Sequence, residues 1–181
     1  HRHRLENSMK HYLKRLEESI KSYWDNPALG NYGGETFTFG QIAAQIEKLH
    51  LFFKQIGIQK GYYPHSQSKG KYKSLISSGL VLAGNTYEAV MVPILADFNP
   101  ESVKALVNHS DSVILFTDNE LWQKLNISEM PSVKAVISTT DFNLHYGATK
   151  EIEQAYNNIE ESFAEKYPNG FSKESVNYPD S

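Results

Sequence analysis

Val113-Ile114-Leu115-Phe116 is apolar at four successive positions. Side chains along a strand point alternately to its two faces, so a strand with one wet face alternates apolar and polar residues. An unbroken apolar run belongs instead to a strand covered on both faces, the pattern of parallel sheets flanked by helices. Val133 to Ile137 reads as a second such strand, and Ala89-Val90-Met91-Val92, closed by Pro93, as a third. Helical patterns lie between and beyond them. Asn99 caps and Pro100 opens a helix through about Asn108, with Val103, Leu106 and Val107 on its inner face. Asp118 caps a short helix carrying Leu121, Trp122 and Leu125. An acidic helix is predicted from about Thr149 to Lys166, before Pro168-Asn169-Gly170 breaks the chain. This alternation implies an α/β class fold: layered, with a mostly parallel sheet and flanking helices.

The N-terminal third is helical in pattern. Leu13, Leu16, Ile20 and Trp24 recur at three- and four-residue steps, and Asn26-Pro27 ends that face. Gly30, Gly33 and Gly34 mark a turn region, and Thr36-Phe37-Thr38-Phe39 reads as a short strand running into a cap. The clearest helix spans about Phe39 to Ile56. Thr38 and Gln41 have the spacing of a capping box, and Ile42, Ile46, Leu49, Phe53 and Ile56 step by three and four. Gly57 stands where a left-handed residue would stop it. His1 to Ser8 is unlike the helical pattern that Met9 opens, looks like a tag or read-through tail, and is set aside from residues 9–181.

Composition narrows the function classes. The 181 residues contain no cysteine, which excludes disulfide scaffolds, cysteine-ligated metals and thiol catalysis. A net charge of -3 argues against a dedicated nucleic-acid binder. No run of about 18 apolar residues spans a membrane. Together with a polar N-terminus this leads to the expectation of a cytoplasmic chain. Charge is uneven: residues 1–24 are basic and residues 141–181 acidic, which reads as two solvated helix faces rather than ends that meet or serve a partner.

Chemistry-bearing residues are few. His109-Ser110-Asp111 contains the residue types of a catalytic triad, but three adjacent residues do not normally assemble one, so it reads as a helix end and turn. His50, beside Leu49 and Phe53, has no second ligand at i+4 and reads as a half-buried structural histidine. Glu160-Glu161 reads as a solvated acidic face, and Trp24 and Trp122 as packing anchors. Lys69, Lys71 and Lys73 interleave with Tyr62, Tyr63 and Tyr72. That pattern suits single-stranded nucleic acid or another anion, but the acidic net charge favours a solvated loop.

Several segments share an order and spacing with a known family. Thr36-Phe37-Thr38-Phe39-Gly40-Gln41-Ile42, Gly57-Ile58-Gln59-Lys60-Gly61, Tyr87 to Ile94, Asn99-Pro100-Glu101 and His109 to Phe116 resemble successive motifs of AMP-forming acyl-CoA ligases. These belong to the adenylate-forming superfamily that includes acetyl-CoA synthetase and firefly luciferase, and the flavour here is of long-chain fatty-acid–CoA ligases. The resemblance covers about residues 12–62 and 84–178. It implies that residues 9–181 form the N-terminal portion of the large domain of a parent enzyme. The parent would activate a fatty or other carboxylic acid as an acyl-adenylate and pass it to coenzyme A, using ATP and Mg²⁺.

The family's phosphate loop is rich in Thr, Ser and Gly and ends in Lys, because backbone N–H groups and a cation must neutralise the triphosphate. The chain stops at Ser181, just short of where the resemblance would place it. Ser77-Ser78-Gly79 has no following Lys, and Ser138-Thr139-Thr140 has no glycine, so neither is read as a substitute. The reading therefore assigns no catalytic, cofactor-binding or metal-ligating residue in this chain and predicts it inactive alone. The alternative is a non-catalytic α/β binding or interaction module on the same scaffold. The resemblance fails and recovers abruptly across 62–83, which reads as a rebuilt, irregular stretch: loop to Lys73, helix from Ser74 to Ala83, and a central strand missing or irregular. A sheet cut mid-domain exposes an edge, so self-association is expected, with the remainder of the parent chain as the natural partner.

Overall fold

A computed structural model describes residues 14–28, 37–57 and 99–178, together with the backbone of strands at 73–76 and 90–93. In chain order the main elements are helix α1 (14–22), helix α2 (Phe39–Gln55), strands β1 (Lys73–Ile76) and β2 (Val90–Pro93), helix α3 (Pro100–Ser110), strand β3 (Ile114–Thr117), helix α4 (Asn119–Lys124), strands β4 (Ala135–Ser138) and β5 (Leu144–Gly147), and helices α5 (Lys150–Asn157) and α6 (Ile159–Lys166). The five described strands form one sheet in the order β2-β1-β3-β4-β5. All neighbours are parallel except β4 and β5.

The apolar run predicted to be covered on both faces is so covered. Ile114 and Phe116 of β3, with Ala135 and Ile137 of β4, face a core built from α1, α2, α5 and α6. Leu115 and Val136, one residue out of phase, face a second core with Val103 and Val107 of α3 and with Met130 and Val133. Period-2 geometry thus divides a continuous apolar string between two layers. Burying each such side chain contributes about 1.5–3 kcal/mol.

Helix α2 begins and ends on local chemistry. The Gln41 N–H donates to Thr38 Oγ1 at 3.2 Å, and the Thr38 N–H donates to Gln41 Oε1 at 2.8 Å, closing the capping box. Past its end, Gly57 adopts φ +84°. The buried face carries Ile42, Ile46, Leu49 and Phe53, as the stepping predicts, and also Ala43 and Phe52. At Gly40 the backbone approaches the Trp24 indole so closely that a Cβ would stand 2.6 Å from Cε2.

Four expectations need correction. The stretch read as loop to Lys73 and helix from Ser74, with a central strand missing or irregular, contains β1, which pairs with both β2 and β3 in the middle of the sheet. A strand of four residues, of which only Leu75 and Ile76 are apolar, is too short to announce itself among lysines and serines. The short strand at 36–39 reduces, in its described part, to a bridge between Pro27 and Thr38. The acidic helix is two helices joined at Asn158, where the weak helix formers Asn157 and Asn158 adjoin. Strand β5 was not anticipated at all. His1 to Ser8, Leu13, the three glycines at 30–34, Ser77-Ser78-Gly79, Lys69, Lys71 and the three tyrosines at 62–72 lie outside the described residues.

Near its two ends the described chain comes together through a backbone-to-carboxylate hydrogen bond and an aromatic contact, and Lys14 Nζ also donates to Asn177 Oδ1 at 3.5 Å. The Tyr178 N–H donates to Glu17 Oε1 at 2.7 Å, and Trp24 packs on Phe171 with ring centroids 5.9 Å apart. Glu17 is buried and flanked by Lys14 and Lys21 from its own helix. The acidic C-terminal helix instead pairs with α2, through Lys48–Glu160 at 2.9 Å and Lys166–Glu47 at 2.7 Å.

Candidate functional site: the carboxyl edge of the sheet

Among the described strands the order reverses between β1 and β3: β2 lies on one side of β1, and the chain returns past β1 to reach β3. In open α/β sheets, ligands bind outside the carboxyl ends of strands near such a reversal. Strand β1 ends there at Ile76, directly ahead of Ser77 in sequence. On the neighbouring strands the edge is formed by Thr117-Asp118-Asn119 after β3 and by Ser138 to Asn143 after β4.

This part of the edge is tightly self-bonded. Thr117 and Ser138 are fully buried. The Ser138 hydroxyl donates to Asn119 Oδ1 at 3.2 Å and accepts from the N–H groups of Thr140 at 3.1 Å and Asp141 at 3.4 Å. The Thr139 N–H donates to Thr117 O at 2.9 Å and the Phe142 N–H to Ser138 O at 3.1 Å. The Asn143 N–H donates to Asp141 Oδ1 at 2.9 Å. Every amide from Thr139 to Asn143 is therefore engaged within the protein. Asp118 Oδ1 in turn caps α4 by accepting from the Leu121 N–H at 2.7 Å.

Phe142 carries strain in this turn. Its φ of 59° places a bulky side chain in the left-handed region. The Tyr156 hydroxyl of α5 donates to the Phe142 carbonyl and ties the turn down. Burial raises the Tyr156 phenol well above its ordinary range, so it stays a protonated donor.

On the α4 side of the same edge, His145 stacks on Trp122 with ring centroids 5.5 Å apart and planes 13° from parallel. Burial pushes the imidazole below its ordinary value, against the opposing pull of Asp141 and Asp118. Its Nε2 is buried with no hydrogen-bond partner.

The chemistry offered is hydroxyl, amide, carboxylate and uncharged imidazole. Neither 117–119 nor 138–145 contains Lys or Arg. A triphosphate needs free amides and a cation, so these residues do not fit ATP phosphates. Among the described residues no three His, Asp or Glu side chains converge where a metal ion could be held. Ser138-Thr139-Thr140 thus lies at the end of β4 with its amides engaged.

The other singled-out residues are dispersed. His109-Ser110-Asp111 is the end of α3, with Asp111 left-handed at φ 53° and the Ser110 hydroxyl 2.6 Å from that of Ser112. His50 is half-buried on α2. Glu160 and Glu161 are exposed on α6. Trp24 packs as an anchor, and Trp122 does so against His145. Sequence reasoning missed His145 and Tyr156. Finding His145 required β5, and the only signal for Tyr156 was an aromatic on the inner side of an acidic helix.

No family model matches the sequence, and no curated protein matches it. Solved structures do resemble the fold. The anthranilate CoA ligase AuaEII in complex with anthranoyl-AMP superposes with a TM-score of 0.55 at 12% identity, over 80% of this chain and 26% of that one. ATP-bound MatB from Rhodopseudomonas palustris gives 0.53 at 12% identity, over 92% and 29%. Acetoacetyl-CoA synthetase from Streptomyces lividans gives 0.51 at 19% identity, over 70% and 22%. The chain therefore spans less than a third of the length of these proteins. Among the described residues no helix is long and apolar enough to cross a membrane. At such identities the likeness is one of fold: the layered α/β architecture corresponds to a portion of each of these proteins.

Proposed function

We propose that this chain is the N-terminal portion of the large domain of an ATP-dependent acid–thiol ligase. In the parent a carboxylic acid, a fatty acid by the sequence resemblance, displaces pyrophosphate from ATP to form an acyl-adenylate. The thiol of coenzyme A then displaces AMP. Mg²⁺ would accompany the ATP, and the cytoplasm is the compartment we assign. The role of this chain is a scaffold and a wall for the acid, with catalytic and nucleotide-binding residues supplied by the rest of the parent.

The observation that carries this reading is the asymmetry of the structural likeness. It extends over 70–92% of this chain but only 22–29% of the ligases cited above. The engaged amides of Thr139 to Asn143, and the lack of Lys and Arg in 117–119 and 138–145, support a part that does not hold the triphosphate.

Acid-dependent ATP–pyrophosphate exchange tests it. The 181-residue chain and a version extended by the downstream coding sequence are assayed with a panel of fatty and aromatic acids. Exchange is expected in the extended protein and absent from the short one. Exchange by the short chain would overturn the division of labour. An extended protein silent towards every acid would turn the conclusion to a non-catalytic binding module on this scaffold.

A further inference from the structure

His145 occupies an unusual place in its hairpin. Val136 is matched with Tyr146 and Ile137 with Leu144, so His145 is an extra residue with no partner on β4. A bulge of this kind re-aims a side chain and leaves one residue outside the ladder. Its consequence here is that consecutive aromatic residues reach the same indole: Trp122 contacts His145 at 5.5 Å and Tyr146 at 6.3 Å between centroids. In a regular strand those two side chains would leave opposite faces.

The contact suits an uncharged ring only. An imidazolium carries N–H donors on both nitrogens, and Nε2 is buried with nothing to accept from it. Cation–π attraction to the indole would favour the charged ring, but it is weaker than the penalty for burying an unpaired charged donor. Two carboxylates pull on the ring electrostatically from outside the stack. Asp118 at the head of α4 and Asp141 in the β4–β5 turn both act on the imidazole. Farther along α4, Glu120 and Lys124 are paired with each other at 3.4 Å.

We propose that His145 is a proton-sensitive latch: the uncharged ring stacked on Trp122 holds β5 against α4, and protonation draws the ring towards the carboxylates of Asp118 and Asp141 and releases that contact. Because His145 has no ladder partner, its rotation breaks no matched pair. The latch lies at the carboxyl edge of the sheet, so acid would loosen the side of the molecule where a ligand crevice would open. The inference does not depend on the ligase reading.

The test is a pH titration of the full chain with three readouts. Imidazole NMR shifts report the protonation of His145. Trp122 emission, in a Trp24→Phe background, reports the stack. Amide exchange at Leu144 to Gly147 reports loosening of β5 from α4. The expected result is a His145 midpoint shifted below about 6.5, with emission and exchange changing at that same midpoint and both changes lost in His145→Gln. A midpoint at or above the ordinary value would overturn the proposal. So would exchange that stays flat while the ring titrates, or a transition that persists in His145→Gln. Should either variant fail to fold, the NMR and exchange readings on the unsubstituted chain decide the matter.

Discussion

Single residues carry several of the fold's local decisions. The Thr38 cap holds the first turn of α2, and Thr38→Ala is expected to cost about 1 kcal/mol in urea unfolding. Gly40 is set by a neighbour rather than by its backbone angle. A methyl there meets the Trp24 indole at 2.6 Å, so Gly40→Ala is expected to destabilise by about 1–3 kcal/mol through overpacking. Pairing it with Trp24→Phe should recover part of that loss. For His145 the sign of the pH effect is set by burial, which lowers the folded value. Between that value and about 6.5 the unfolded chain binds more protons than the folded one. The contribution of His145 to stability is thus complete above this window and is lost as pH falls through it. Comparing urea midpoints at about pH 7.5 and about pH 5.5 should give a smaller acid loss in His145→Gln than in the unsubstituted chain. An equal loss in both would assign the effect to other groups.

At the scale of elements, the β4–β5 hairpin is tied down at its turn. Its turn is held by the Ser138 hydroxyl, by Asp141 and by the Tyr156–Phe142 bond from α5. Tyr156→Phe keeps the ring, which packs edge-on to Phe52 at 4.9 Å between centroids, and removes only the hydroxyl. The loss is expected to be about 0.5–1.5 kcal/mol, concentrated in faster exchange of the turn amides. An unchanged exchange pattern would show that Phe142 holds its left-handed conformation without help. The capped helices α2, α3 and α4 were readable because a cap is a pattern of adjacent residues. Strand β5 was not, since a bulge and a four-residue length erase the period that identifies a strand.

Across the whole molecule, the sheet divides two cores, and its margins differ. Strand β5 is covered by α5, the next helix in the chain, whereas β2 is paired, among the described strands, only with β1. An edge of this kind offers unpaired backbone groups to another chain. We expect the protein to self-associate, with light-scattering mass rising above 20.6 kDa as concentration increases. A monodisperse monomer across that range would mean that the edge is protected.

The layered α/β class, the two-sided cover of β3, and the caps of α2, α3 and α4 are determined by short stretches of chain, because apolar runs and capping side chains act over a few residues. The place of β1 in the middle of the sheet, the bulge at His145, the split of the acidic helix and the meeting of Glu17 with Tyr178 are not. Each depends on partners brought together from distant parts of the chain. Glu17 and Tyr178, 161 residues apart, are neighbours only once the core that holds Ile20 and Tyr178 has closed. The carboxyl edge has the same origin: Ser138 meets Asn119, and His145 of β5 meets Trp122 of α4, because pairing β3 with β4 leaves the segments after them side by side.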